Sequence, residues 1–163
     1  MESQQNQAKQ LGNLLEQHQL VMTTAESCTG GGVAAAITDI AGSSAWFDRA
    51  FITYSNEAKM EMLGVGENTL EQHGAVSEAT VVEMVQGALK HSHANIGVSI
   101  SGIAGPGGGT EAKPVGTVCF AWADKQGWQK VATHCFSGDR AEVRSKAVEC
   151  ALTVLYEELI SRG

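Results

Sequence analysis

The chain has no run of Lys and Arg, no C-x-x-C pair and no apolar stretch long enough to span a membrane, and each absence removes a class of function. Eleven Lys and Arg stand against eighteen Asp and Glu, a formal net charge of −7. With no basic stripe to neutralise successive phosphates, nucleic acid is not an expected partner. A small anionic ligand is a different matter, since a few well-placed cations in a cleft hold one phosphate against an acidic average. The four cysteines, Cys28, Cys119, Cys135 and Cys150, are isolated, and the polar start "MESQQNQAKQ" does not read as a secretory leader. Reduced thiols and a cytoplasmic, soluble protein are expected, with no membrane partner. None of the five histidines has metal-ligand spacing. His91 and His93 are two apart at the end of a helical pattern and read as solvated, so neither a metal nor another cofactor is expected. With only two prolines and 43% apolar residues, the 163 residues suit one domain, 1–163, with one core. No repeat, linker or low-complexity tract interrupts it.

What is present alternates in type. "NQAKQLGNLLEQHQ" predicts an amphipathic helix, "LVMTTAE" a buried strand, "GGVAAAITDIA" a small-residue helix and "WFDRAFITY" a second strand. "NEAKMEMLG" is a short helix closed by Gly64, "NTLEQHG" one further turn, and "SEATVVEMVQGALKH" a longer helix with N-cap chemistry at Ser77. "NIGVSISGIAG" is a strand running into glycine. "KPVGTVCFAWAD" and "WQKVATHCFSG" are strands joined around "KQG", and "DRAEVRSKAVECALTVLYEELISR" is a long last helix. The order predicts an α/β fold, a three-layer α/β/α sandwich with a mixed sheet, antiparallel at the late hairpin.

Three loops at predicted strand ends collect the chemistry: "AESCTGGG", "TYSNEAK" and "SGIAGPGGGTEAKPVG". Strand ends are where ligands sit in open α/β sheets. Ser27 is a candidate nucleophile, with the N–H groups of Thr29, Gly30 and Gly31 as candidate donors to an oxyanion. The plainer alternative is that Ser27 or Thr29 only caps the following helix. Cys28 is a rival nucleophile, although no histidine stands in a partner loop. Without a histidine, the base falls to Lys59, since a desolvated lysine can lose its proton near neutral pH, and Tyr54 could relay the proton or orient the hydroxyl. An exposed Lys59 paired with Glu57 or Glu61 is the ordinary reading of the same pattern.

The segments "TTAESCTGG", "GSSAWFDRAFITYSNEAKMEMLGV", "HGAVSEAT", "SISGIAGPGGGTEAKPVGTV" and "FSGDRAEVR", in this order and across nearly the whole chain, resemble the nicotinamide-nucleotide amidase family, also known as the C-terminal domain of the competence-damage-inducible CinA proteins. The resemblance implies hydrolysis of the carboxamide of nicotinamide mononucleotide (NMN) to nicotinic acid mononucleotide and ammonia, without a cofactor. By motif it implies Ser27, Tyr54 and Lys59 as catalytic residues. Gly102, Ala104, Gly105 and Thr110 of the third loop, with Arg140 at the start of the last helix, would then hold the nucleotide, its phosphate meeting both guanidinium and helix N-terminus. A nucleotide-binding module without turnover is the alternative. The apolar faces of the last helix and of the "WFDRAF" strand suggest a homodimer.

Overall fold

The computed structural model describes residues 3–163. Helix α1 (Gln4–Gln17) starts where the Ser3 hydroxyl accepts from the Asn6 N–H, and it buries Ala8, Leu11, Gly12 and Leu15, the three- and four-residue spacing of one helix face. Strand β1 (Met22–Glu26) follows, then α2 (Gly32–Thr38), a single 3-10 turn at Ser43–Ala45, and β2 (Phe47–Ile52). Three helices come next, α3 (Asn56–Leu63), α4 (Glu67–His73) and α5 (Glu78–Lys90). The chain closes with β3 (Ile96–Gly102), β4 (Thr117–Asp124), β5 (Gln129–Cys135) and α6 (Arg140–Ser161).

The sheet runs β2-β1-β3-β4-β5. β1 pairs in parallel with β2 and β3, whereas β3–β4 and β4–β5 are antiparallel. The mixed α/β sheet is therefore as expected, with antiparallel pairing extending one strand earlier than the hairpin. Two local expectations are revised. Helix α2 stops at Thr38 rather than Ala41, because the Thr38 hydroxyl turns back to the carbonyls of Ala34 and Ala35. The "NTLEQHG" segment forms a seven-residue helix instead of one turn.

The two faces of the sheet differ in size. Val98, Ile100, Phe120 and Trp122 point toward α1, α2 and α6, where they meet Leu11, Leu15, Val33, Ile37, Val143, Leu152 and Leu155. Their strand neighbours on the opposite face are small: Ala25, Cys119, Ala121 and Ala123 pack against Val81, Met84, Val85 and Ala88 of α5. That flat side lets α5 sit close enough for the Ser99 hydroxyl to donate to the Val81 carbonyl at 2.5 Å. Gly87 of α5 is pressed so near the Leu63 carbonyl of α3 that a Cβ there would overlap it. Because β1, β2 and β3 are parallel, their C-terminal ends open on the same edge of the sheet, and the three chemistry-bearing loops meet there.

Candidate active site

Ser27 is the first residue beyond β1, and its N–H donates to the Ile100 carbonyl of β3 (3.0 Å), so the strand pairing fixes its backbone. Its side chain faces Lys59, whose Nζ lies 3.0 Å from Ser27 Oγ. Lys59 arrives from α3, which Ser55 starts by accepting from the Ala58 N–H. The lysine is 1% exposed and forms no salt bridge among the described residues. Its other neighbours are main-chain oxygens, Thr53 O at 2.9 Å and Tyr54 O at 3.4 Å. Burial without a carboxylate holds the Lys59 ammonium below the usual lysine range, only Cys28 pulling the other way. The ordinary reading, a lysine paired with Glu57 or Glu61, does not describe this side chain.

Glu26 explains the shape of the loop. Completely buried, it accepts from the hydroxyls of Thr24 (3.0 Å) and Thr29 (2.7 Å) and from the N–H groups of Gly31 (3.1 Å), Val33 and Ala34 (both 3.0 Å). This carboxylate, not Ser27 or Thr29, satisfies the start of α2 and its positive dipole end. The expectation for the donors changes accordingly. Gly31 N–H is taken by Glu26 and Gly30 N–H by the Ser27 carbonyl (3.0 Å), so neither is free for an oxyanion. Thr29 keeps an uncommitted N–H.

Ser27 and Lys59 lie in a cleft of about 310 Å³ that is also lined by Cys28, Tyr54, Asn56, Ser101, the 102–108 loop and Arg140. Of the expected ligand-holding residues, Gly102, Ala104, Gly105 and Arg140 line it. Thr110 does not. Its hydroxyl accepts from the Lys113 N–H and closes an exposed turn within the loop. The amides of Ala104, Gly105, Gly107 and Gly108 have no acceptor among the described residues and form a run of donors on the cleft wall. Arg140 spans the opening, donating from Nη1 to the Gly105 carbonyl (2.8 Å) and from Nη2 to the Tyr54 hydroxyl (3.3 Å). At the N-terminus of α6, Asp139 and Glu142 form a reciprocal capping box that takes the amides of those two residues. Of the first turn of α6, Arg140 is the residue that lines the cleft.

Tyr54 is 65% exposed, and the structure brings its carbonyl, not its hydroxyl, to Lys59. Burial pushes the Cys28 thiol up to about 11, which keeps the rival nucleophile protonated at neutral pH. Asn56, Ala75, Val76 and Ser101 escaped the reading of the sequence. Asn56 and Ser101 carry a visible signal, each lying inside one of the three loops, whereas Ala75 and Val76 are ordinary apolar residues. Among the described residues no three His, Cys, Asp or Glu side chains stand close enough to hold a metal ion.

The model of the "CinA C-terminal domain" matches residues 4–159. The nicotinamide-nucleotide amidohydrolase PncC of Escherichia coli (strain K12) is 59% identical over 153 residues, 94% of this chain and 93% of that protein. A putative competence-damage inducible protein of Symbiobacterium thermophilum is 48% identical over 160 residues, which are 92% of this chain and 37% of that longer one. Among solved structures, the competence/damage inducible protein CihA from Agrobacterium tumefaciens superposes with a TM-score of 0.92 at 45% identity, covering 93% of each chain. The competence damage-inducible protein A (ComA) from Klebsiella pneumoniae gives 0.93 at 42% identity, over 97% of this chain and 98% of that one. With the match spanning nearly every described element, the chain belongs to the CinA C-terminal domain family.

Proposed function

We propose that this protein is an amidase that hydrolyses the carboxamide of nicotinamide mononucleotide, giving nicotinic acid mononucleotide and ammonia, with Ser27 as nucleophile and Lys59 as general base. The observation that carries the reading is the buried Ser27 Oγ–Lys59 Nζ contact at 3.0 Å with no carboxylate on the lysine. The 59% identity to a protein named nicotinamide-nucleotide amidohydrolase supports the choice of substrate.

Neutral Lys59 takes the Ser27 proton as Oγ bonds to the amide carbon, and the carbonyl electron pair moves onto oxygen. The Lys59 ammonium then protonates the amide nitrogen, the C–N bond breaks and ammonia leaves an acyl-Ser27 ester. Water attacks that ester with Lys59 again as base, the carboxylate forms and the proton returns to Ser27. Arg140 and the free amides of Ala104, Gly105, Gly107 and Gly108 supply cation and donors for the 5′-phosphate. Tyr54 is placed to wall the cleft and to orient Arg140, its hydroxyl being on the guanidinium.

The test is to incubate the pure protein with nicotinamide mononucleotide and measure ammonia and the nucleotide acid. Ser27→Ala, which removes the attacking oxygen and little volume, is expected to lower turnover by at least roughly 10³-fold with the melting temperature kept. Wild-type protein that binds the nucleotide without releasing ammonia would instead support a binding module.

A further inference from the structure

Between Ser27 and Ala34 almost every amide is committed. Ser27 donates to Ile100, Gly30 to Ser27, Gly32 to Thr29, and Gly31, Val33 and Ala34 to Glu26. Within this stretch, only the amides of Cys28 and Thr29 find no acceptor on another described residue. These two N–H groups belong to the peptide units directly after the nucleophile. In a trans peptide the N–H points opposite to the C=O, so whatever holds the carbonyl aims the donor. The Ser27 carbonyl is held by the Gly30 N–H at 3.0 Å. The Cys28 carbonyl is held by a residue 116 positions later, Arg144 of α6, whose Nε donates to it at 3.0 Å while Nη2 donates to the Thr29 carbonyl at 3.2 Å.

Arg144 stands one helical turn beyond Arg140 on α6, so the two guanidiniums share a face of that helix. Arg140 reaches the cleft opening and Arg144 the back of the nucleophile loop. Their tasks differ. Glu26 fixes the loop through its donors and Arg144 through its acceptors, and what remains between them is a pair of adjacent amides beside Ser27 with no acceptor on another residue, that of Cys28 lying against its own thiol.

We propose that Arg144 is a positioning residue for the hydrolysis: by holding the Cys28 carbonyl it aims the Thr29 amide, which shares that peptide plane, at the oxygen that becomes negative when Ser27 attacks, and by holding the Thr29 carbonyl it keeps the Gly30 amide on the Ser27 carbonyl, whose plane carries the Cys28 amide. The proposal rests on the amidase reading above. A guanidinium suits the task because its fixed fork grips two neighbouring carbonyls at once, which an ammonium does as a single point charge. Arg144 touches no reacting atom, and its effect passes entirely through the two peptide planes.

The test uses Arg144→Ala and Arg144→Lys on the full chain, with Arg140→Ala as comparison. Two readouts are needed, steady-state hydrolysis of nicotinamide mononucleotide and the rate at which a fluorophosphonate probe labels Ser27. In labelling, the Ser27 oxygen bonds to phosphorus and fluoride leaves, and the phosphoryl oxygen needs the same donors. For Arg144→Ala the expected result is a kcat lower by roughly 10- to 10²-fold with KM within about threefold. That is less than the loss on deleting an oxyanion donor outright. Labelling should slow by a similar factor, Arg144→Lys should recover part of it, and added methylguanidine should restore turnover to Arg144→Ala. Arg140→Ala should instead act chiefly on KM, with losses in kcat and in labelling smaller than those of Arg144→Ala. Wild-type kcat in Arg144→Ala, or a loss matched by Arg140→Ala in both readouts, would overturn the assignment. If Arg144→Ala does not fold, Arg144→Lys carries the same comparison. A wild-type protein that labels but releases no ammonia would refute the substrate reading alone, and the labelling ratios would still decide the role of Arg144.

Discussion

At the scale of single residues, the proposed chemistry depends on a lysine being neutral. Lys59 must lose its proton before it can accept one from Ser27, and burial lowers its pKa from the ordinary ~10.4. Catalytic efficiency is therefore expected to climb with pH along a limb lying well below that value. Lys59→Arg should lose at least roughly 10³-fold in turnover, since a guanidinium keeps its proton and the charge alone is not what the reaction uses. A pH profile of kcat/KM beside the activity of this variant checks both points, and a fully active arginine variant would make the side chain a fixed cation. Residue types and their place in the loops made Ser27 and Lys59 legible in the sequence. Their contact was not, because it depends on how far α3 folds back across the end of β2. The part Glu26 plays was not legible for a related reason: a carboxylate next to a candidate nucleophile looks reactive until its five hydrogen bonds are seen to run to the start of α2 and to two threonines.

Elements show a second kind of dependence. Helix α2 has no side-chain cap of its own, its N-cap being Gly31 in the left-handed region at φ 98°, and Glu26 of β1 does the capping from outside. Removing that carboxylate would leave three N–H groups and two hydroxyls inside the protein without an acceptor. Glu26→Ala is thus expected to cost about 3 kcal/mol, a fall in melting temperature of roughly 6–12 °C for a chain of this size, and Glu26→Gln less. Calorimetry of the two variants checks the order; a melting temperature for Glu26→Ala within about 2 °C of wild type would show that water replaces the carboxylate at no cost. Periodicity and turn residues gave the strands and most helices. They failed at the ends of α2 and over α4, where a side-chain hydroxyl or a seven-residue run without buried residues leaves little pattern to read.

For the molecule as a whole, Lys59 is a place where function opposes stability. Its folded-state pKa lies below its unfolded one, so between those two values the native state binds fewer protons than the unfolded chain, and stability rises with pH there. The penalty is present at neutral pH and fades as pH approaches ~10.4. Lys59→Met keeps the length of the side chain and loses the charge. Wild type should gain stability relative to this variant as pH goes from about 7 to about 9, a range below that in which the Cys28 thiol ionises. Thermal unfolding of the pair at both values checks the sign, and a pH-independent difference would mean that the burial of Lys59 is not coupled to its proton. The layered fold around this site was legible because the order of helices and strands along the chain calls for helices on both faces of a mixed sheet.

The cleft draws on β1, α3, the loop after β3 and the first turns of α6, and α6 follows every strand in the chain. During synthesis the nucleophile and base therefore exist long before the two arginines that brace the loop and span the opening. A nascent or clipped chain lacking α6 presents Ser27 and Lys59 without Arg140 and Arg144, and with the face of the sheet that bears Phe120 and Trp122 uncovered. Such a fragment leaves an apolar sheet face open to chaperones and proteases and lacks both arginines that the proposed site uses. On the amidase reading, hydrolysis is therefore a property of chains in which α6 has closed over the sheet.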